Sequence, residues 1–265
     1  LNLSAYVSGI GVLGPGLTGW PQTAAVLLGR EAYKPAATVL PMPTILAAAE
    51  RRRTGRVVKL ALAVGLEAVA HADANSAELA SVFSSSGGDG DNCHELCQAL
   101  TLDGREISPT RFAHSVHNIA AGYWSIGTGA MAKSNVLCAF DASFGAGLLE
   151  AMTQVAVDRE ALLLVSYDTA YPLPLHAVRP IPDAFGIALV LTPDRCANSL
   201  ARMQVSLTAE PLQTLDDPAL EWMRREIPAA RSLPLLRLLA AGEPGRAIIE
   251  YLDVSRAAVQ VESCS

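Results

Sequence analysis

The chain has 265 residues, 51% of them hydrophobic and 17% charged, and a formal net charge of −6. That is ample apolar material for a large core, and an acidic chain without a basic stripe argues against a nucleic-acid partner. No apolar run reaches the roughly 18 residues of a spanning helix and no basic-then-apolar leader opens the chain, so no membrane partner and a cytoplasmic location are expected.

Residues 6–9 read as a first strand, running into Gly9-Ile-Gly11-Val-Leu-Gly14. Glycines after a strand match the start of a dinucleotide fingerprint. Here Pro15, Gly16, Gly19 and Pro21 delay the helix whose N-terminus would hold a phosphate, and no second strand ends in an acid about 20 residues on. The segment is read as a glycine-rich turn, and no cofactor is expected. Residues 56–72 place Val57, Leu60, Ala61, Val64 and Val69 at helical spacing. Residues 80–85 then read as a strand ending in the turn Gly87-Gly88-Asp89-Gly90.

A second α/β unit follows, with helices over residues 92–100 and 118–130, a strand over 135–140, a helix over 142–155 and strands over 161–167 and 186–192. Between the last two strands, Tyr171-Pro-Leu-Pro-Leu-His-Ala-Val-Arg-Pro-Ile-Pro182 holds four prolines, which predict an extended surface segment without ladder or helix. The remainder reads as a strand over 201–208, helices over 218–226 and 233–241, and a hairpin of 247–252 with 257–261. Alternating strand-length and helix-length runs mean α/β layering. With no repeat or low-complexity linker, one unit over residues 1–195 carries a C-terminal segment, 196–265.

The five cysteines are irregularly spaced, which fits reduced, mostly buried thiols better than a disulfide framework. Cys93-His94-x-x-Cys97 invites a zinc reading, but Cys93, Leu96, Cys97 and Leu100 share one helical face and no second ligand pair follows. A packed apolar face is expected, and no metal. His114 and His117 are candidates for polarising a carbonyl or moving a proton; alternatively they are loop residues, and Asn118 caps the next helix. Asp141 stands where the strand over 135–140 turns into the following helix. An aspartate there has an ordinary role as helix N-cap. Cys138 lies inside the apolar strand, where a thiol is usually inert.

In order along the chain, Tyr6-Val-Ser-Gly-Ile-Gly-Val-Leu-Gly14, Arg51-Arg-Arg-Thr-Gly-Arg-Val-Val-Lys-Leu-Ala61, Ser108-Pro-Thr-Arg-Phe, Ser115-Val-His-Asn-Ile-Ala-Ala-Gly122 and Asp141-Ala-Ser143 resemble the N-terminal half of a β-ketoacyl synthase. The resemblance spans about residues 3–193 and implies the thiolase-like layered α/β/α fold, with a truncated C-terminal half. Tyr167-Asp168, Tyr171-Pro-Leu-Pro and Ala184-Phe-Gly-Ile-Ala-Leu-Val-Leu191 are similar to the short, divergent branch of type II polyketide and aryl-polyene pathways.

The resemblance places Asp141-Ala-Ser143 on the Cys-Ala-Ser of the family's nucleophile elbow. It also implies two catalytic histidines in a C-terminal half, whereas the last histidine here is His176. A carboxylate in place of the cysteine would have to form an anhydride instead of a thioester. The resemblance therefore implies a non-catalytic subunit akin to a chain-length factor, with Asp141 at the nucleophile position and Ser143 and His117 as further site candidates. Dimerisation, with a second copy or an active ketosynthase, would run through residues 134–140. A further reading makes the chain a binding module for acyl carrier protein, with Arg51, Arg52, Arg53 and Arg56 as the positive patch an acidic carrier needs; the bland alternative is a solvated helix entry that serves solubility. A competing reading makes Asp141 a base in an enzyme acting on an acyl thioester.

Overall fold

The computed structural model describes residues 3–264. A long strand β1 (Leu3–Gly14) and a short return β2 (Leu17–Thr18) lead into helices α1 (Trp20–Leu27), α2 (Ala48–Arg51) and α3 (Arg56–Ala72). Strand β3 (Ala80–Ser84) is followed by α4 (Gly90–Thr101), α5 (Pro109–Ala113) and α6 (Ile119–Thr128), then by β4 (Ser134–Leu137) and α7 (Ser143–Asp158). Next come β5 (Leu162–Asp168), the single turn α8 (Leu175–Val178), β6 (Phe185–Thr192) and β7 (Ala201–Thr208). Helices α9 (Pro218–Glu226) and α10 (Leu233–Ala241) precede the hairpin β8 (Gly245–Glu250) and β9 (Arg256–Ser263).

The nine strands among the described residues form one mixed sheet in the order β4-β3-β5-β6-β1-β7-β9-β8, with β2 attached to β1. Helices α3 and α6 bury Leu60, Val64 and Trp124 with Phe83 and Val165 on one face. On the other, α7, α1 and α10 bury Leu148, Met152, Val26 and Leu236 with Ile10 and Leu164. This is the layered α/β/α arrangement expected from the alternating pattern, and β7, β9 and β8 extend the same sheet.

The first glycines do not make a turn. Gly9 and Gly11 lie inside β1, where a Cβ would run into the carbonyls of Ala68 and Val64 on α3. They let helix and strand approach closely, and the backbone they would have offered a pyrophosphate is covered. Strand β7 pairs with β1 only from Leu3 to Val7. Beyond that point α3 supplies the acceptors: Ile10 N–H donates to His71 Nδ1 at 3.2 Å and Val12 N–H to Glu67 Oε2 at 2.9 Å. The other oxygen of Glu67 accepts from Trp20 N–H at 2.5 Å, tying down the start of α1. Burial raises the Glu67 carboxyl above its ordinary range against the pull of these two bonds.

Other expectations are corrected. The strand predicted over 135–140 ends at Leu137 and gives way to a 3-10 turn, Phe140–Ala142. The proline segment accommodates a turn of helix, Leu175–Val178, because its prolines flank that turn. On α4 only Gly90 and Asn92 are buried, so the face with Cys93, Cys97 and Leu100 is exposed and not packed. Of the five free thiols, only Cys264 is buried.

Strands β4, β3 and β5 are parallel neighbours, with β3 in the middle. The chain leaves β3 to one side to make β4 and crosses back to make β5. Segments leaving the carboxyl ends of such a reversal flank a crevice, the usual place for a ligand in an α/β sheet.

Candidate functional site

The strand-to-helix elbow after β4 is built by Ser143. Its hydroxyl accepts from Ala139 N–H at 3.0 Å and donates to Phe140 O at 2.7 Å, and the side chain is fully buried. Phe140 adopts φ 51°, uncommon for a side chain of its size, and the residue is 62% exposed. Gly145 and Gly147 bring the first turns of α7 against the Glu250 carbonyl and the Ser84 hydroxyl.

Asp141 is held in this elbow by two arginines from distant segments. Arg179 Nη2 donates to Oδ1 at 2.7 Å and Arg231 Nη2 to Oδ2 at 3.0 Å. Arg231 also faces Glu250 at 3.8 Å, and Glu250 accepts from Arg224 at 2.7 Å, which grips Glu221. Asp141 is therefore not a helix cap: the N-cap position of α7 is Ala142, without a side-chain bond. The aspartate is one node of a chain of alternating charges, and each of its oxygens accepts from a guanidinium.

Asp168, at the end of β5, organises the surroundings. Its Oδ1 accepts from the backbone N–H and the hydroxyl of Ser86, at 2.9 and 2.5 Å, and Oδ2 from Ala229 N–H at 2.9 Å. It thus fixes the segment after β3 and the 3-10 turn Pro228–Ser232 that carries Arg231. Burial pushes its carboxyl up to about 6, partly countered by the bonds from Ser86 and Ala229 and by Arg179. Beside it, burial raises the Tyr167 phenol.

One cleft opens at the elbow and a second lies on the other side of Arg179. One, of about 740 Å³, is lined by Phe140, Asp141, Arg231 and Tyr251, together with the tip of the β8–β9 hairpin. The other, of about 460 Å³, is walled by Leu96, Tyr171, Leu175 and Val178, with His117 and Arg179. Tyr171 lies on the glycine turn 87–90, where a Cβ at Gly87 or Gly90 would run into its side chain.

The predicted residues are not brought together. His117 lines the smaller cleft, with Nε2 3.4 Å from Ser85 Oγ, and burial lowers its pKa. His114 turns to the Tyr123 hydroxyl at 3.1 Å. Asn118 occupies the N-cap position of α6, but its side chain makes no capping bond. Cys138 lies just past the end of β4 instead of inside a strand and is exposed, and its thiol donates to Ser86 O at 3.3 Å. Arg53 pairs with Glu50 at 3.2 Å and Arg56 with Asp183 at 3.9 Å; among the described residues the side chains of Arg51 and Arg52 have no acidic partner. Among the described residues no cluster suits a metal ion, and no helix is long and apolar enough to cross a membrane. Arg179 and Arg231 went unforeseen, because nothing local marks an arginine in a proline segment or a short turn as a partner of residue 141.

A family model for the N-terminal domain of β-ketoacyl synthases matches residues 20–244. No curated protein matches the chain. Among solved structures, a chain of the ketosynthase ApeO in complex with its chain length factor ApeC, from Xenorhabdus doucetiae, is 23% identical with a TM-score of 0.73, covering 97% of this chain and 99% of that one. A chain of the ishigamide ketosynthase/chain length factor is 15% identical with a TM-score of 0.72, covering 99% and 100%. A chain of AntDE:AntF, a type II polyketide acyl-carrier protein in complex with its ketosynthase, is 10% identical with a TM-score of 0.78, again covering 99% and 100%. At these identities the likeness establishes the fold.

Proposed function

Because the chain belongs to the β-ketoacyl synthase family, by the match over residues 20–244, we propose that it is a non-condensing, chain-length-factor-like subunit that pairs with an active ketosynthase in polyketide or aryl-polyene assembly. The observation that carries this is the double ion pair on Asp141. Condensation in this family needs a thiolate that accepts an acyl group, yet the side chain at the elbow is a carboxylate neutralised by two guanidiniums. It would yield a high-energy anhydride if acylated. The histidines offer no substitute, since His176 is the last of them and His117 lines a different cleft from Asp141. The fold around the elbow is nonetheless intact, with Ser143 and the two arginines holding it closed, which favours a structural partner over a decayed enzyme.

The partner surface is the outer edge of β4, which ends the sheet. Ser134 and Asn135 are exposed there, and Met131 and Phe140, just before and after the strand, are large exposed apolar residues. The two named ketosynthase/chain length factor assemblies share this fold and supply the analogy for a heterodimer. The unpaired Arg51 and Arg52 suit an acidic carrier protein as a further partner. The competing reading, Asp141 as a base acting on an acyl thioester, is disfavoured because both oxygens already accept from arginine.

The test is co-purification with the ketosynthase and carrier protein encoded beside it, followed by native mass and a condensation assay. A stable heterodimer whose product length depends on this chain supports the proposal. A lone homodimer that turns over acyl thioesters, and loses that turnover in Asp141→Asn, would replace it with the enzyme reading.

A further inference from the structure

Arg179 stands between the two clefts, lining one and touching residues that line the other. Arg179 lines the smaller cleft, and its guanidinium lies 3.8 Å above the Phe140 ring while donating to Asp141 at 2.7 Å. Phe140 and Asp141 in turn line the larger cleft. The segment that carries Arg179 is bonded mostly to itself: His176 N–H donates to Pro172 O, Ala177 N–H to Pro174 O, and Arg179 N–H to Leu175 O. It is anchored at one end by Tyr171 on the glycine turn and at the other by the buried Ile181. Among the described residues, the one side-chain ion pair between this strap and the elbow is that of Arg179. A strap held this way can shift as a unit once a single contact is released.

We propose that Arg179, clamped on Phe140 and Asp141, is a removable partition that fixes how far an extended acyl chain can run between the two clefts. The inference rests on the reading of the chain as an acyl-assembly subunit and assigns its length-setting element. The smaller cleft is apolar on the strap side, through Tyr171, Leu175 and Val178, and suits methylene groups. The larger one holds the charged elbow. With Arg179 in place an apolar chain stops at the guanidinium, because passing it would mean desolvating the ion pair. With the Arg179 side chain removed, the guanidinium no longer stands against Phe140 and Asp141 on the side of the smaller cleft, and a longer chain has room to advance.

The experiment measures binding of neutral acyl N-acetylcysteamine thioesters, from butyryl to myristoyl, to the full chain, alone and with its ketosynthase. Neutral thioesters are used because a fatty-acid carboxylate would itself seek the arginine. For the wild type, affinity is expected to rise with length and then level off. In Arg179→Ala the rise continues, with about tenfold tighter binding for every two further methylenes admitted. Asp141→Asn, which loosens the clamp without removing the side chain, shifts the cut-off in the same direction and serves if Arg179→Ala fails to fold. Identical cut-offs in all three proteins, or no binding by any of them, would overturn the partition. Product lengths from the complex are compared in parallel. A moved cut-off with unchanged products would leave the partition standing and remove the length-setting role.

Discussion

Arg231 reaches back 90 residues along the chain to donate to Asp141 Oδ2 at 3.0 Å, from a turn that Asp168 anchors through Ala229 N–H. The elbow is thus clamped from the C-terminal segment as well as from the strap, and residues 228–232 are part of the site as much as residues 138–142 are.

Removing the carboxylate should therefore be felt in stability. Asp141→Ala leaves two half-buried guanidiniums without their shared partner, and such losses cost about 1–3 kcal/mol. Urea unfolding of the two proteins at neutral pH checks this. A cost below the error of the measurement would mean that water replaces the carboxylate freely.

Asp168 makes a pH prediction with a definite sign. Burial lifts its carboxyl to about 6 in the fold, above the ordinary 3.8 of an aspartate, so between those pH values the folded state binds more protons than the unfolded one. Stability from this group then falls as pH rises from about 4 to about 6, by roughly 3 kcal/mol at most, and is level above. The difference in unfolding free energy between wild type and Asp168→Asn, measured by urea titration across that range, should trace this decline. A flat difference curve would show that the three donors on Asp168 already offset its burial.

Much of the scaffold is legible in the sequence because periodicity is local. The spacing of Val57, Leu60, Ala61 and Val64 gives α3 its observed bounds, and the terminal hairpin is marked by its apolar runs. Gly9 and Gly11 mislead because a glycine admitting a helix looks, in sequence, like a glycine admitting a turn. The α4 face misleads for the opposite reason: Cys93, Leu96, Cys97 and Leu100 have the spacing of a buried stripe, and spacing does not say whether anything lies opposite. Asp141 is visible as an elbow residue, but its partners come from 38 and 90 residues away, and no local pattern carries contacts of that separation.

Installing the expected nucleophile should produce a reactive thiol without a reaction. In Asp141→Cys the side chain would face Arg179 and Arg231, and neighbouring cations favour the thiolate. Iodoacetamide is expected to label it faster than it labels Cys138 in the wild type, while condensation with acyl and malonyl thioesters stays at background, because no histidine follows His176. Condensation by this variant would show that the missing histidines are not needed.

The outer edge of β4 gives the sharpest test of partnership. The carbonyls of Lys133 and Leu137 accept from the N–H groups of Ser81 on β3 and of Ser85 just past its end. By strand alternation the backbone groups of Ser134 and Val136 then point away from the sheet. A proline at 136 removes an N–H that this chain does not use for its own ladder, and an edge strand tolerates it. Val136→Pro should therefore melt within a few degrees of wild type, since a loss below about 1 kcal/mol moves the midpoint little in a chain of this length. If β4 pairs with a partner strand, the same substitution deletes an intermolecular bond and distorts the edge, so the complex with the ketosynthase should weaken at least about tenfold, a loss of roughly 1.4 kcal/mol. Native mass and light scattering on the mixture read this directly. Unchanged association with an unchanged melting temperature would move the interface off this edge, whereas lost association with an intact fold would place the partner strand against residues 134–137.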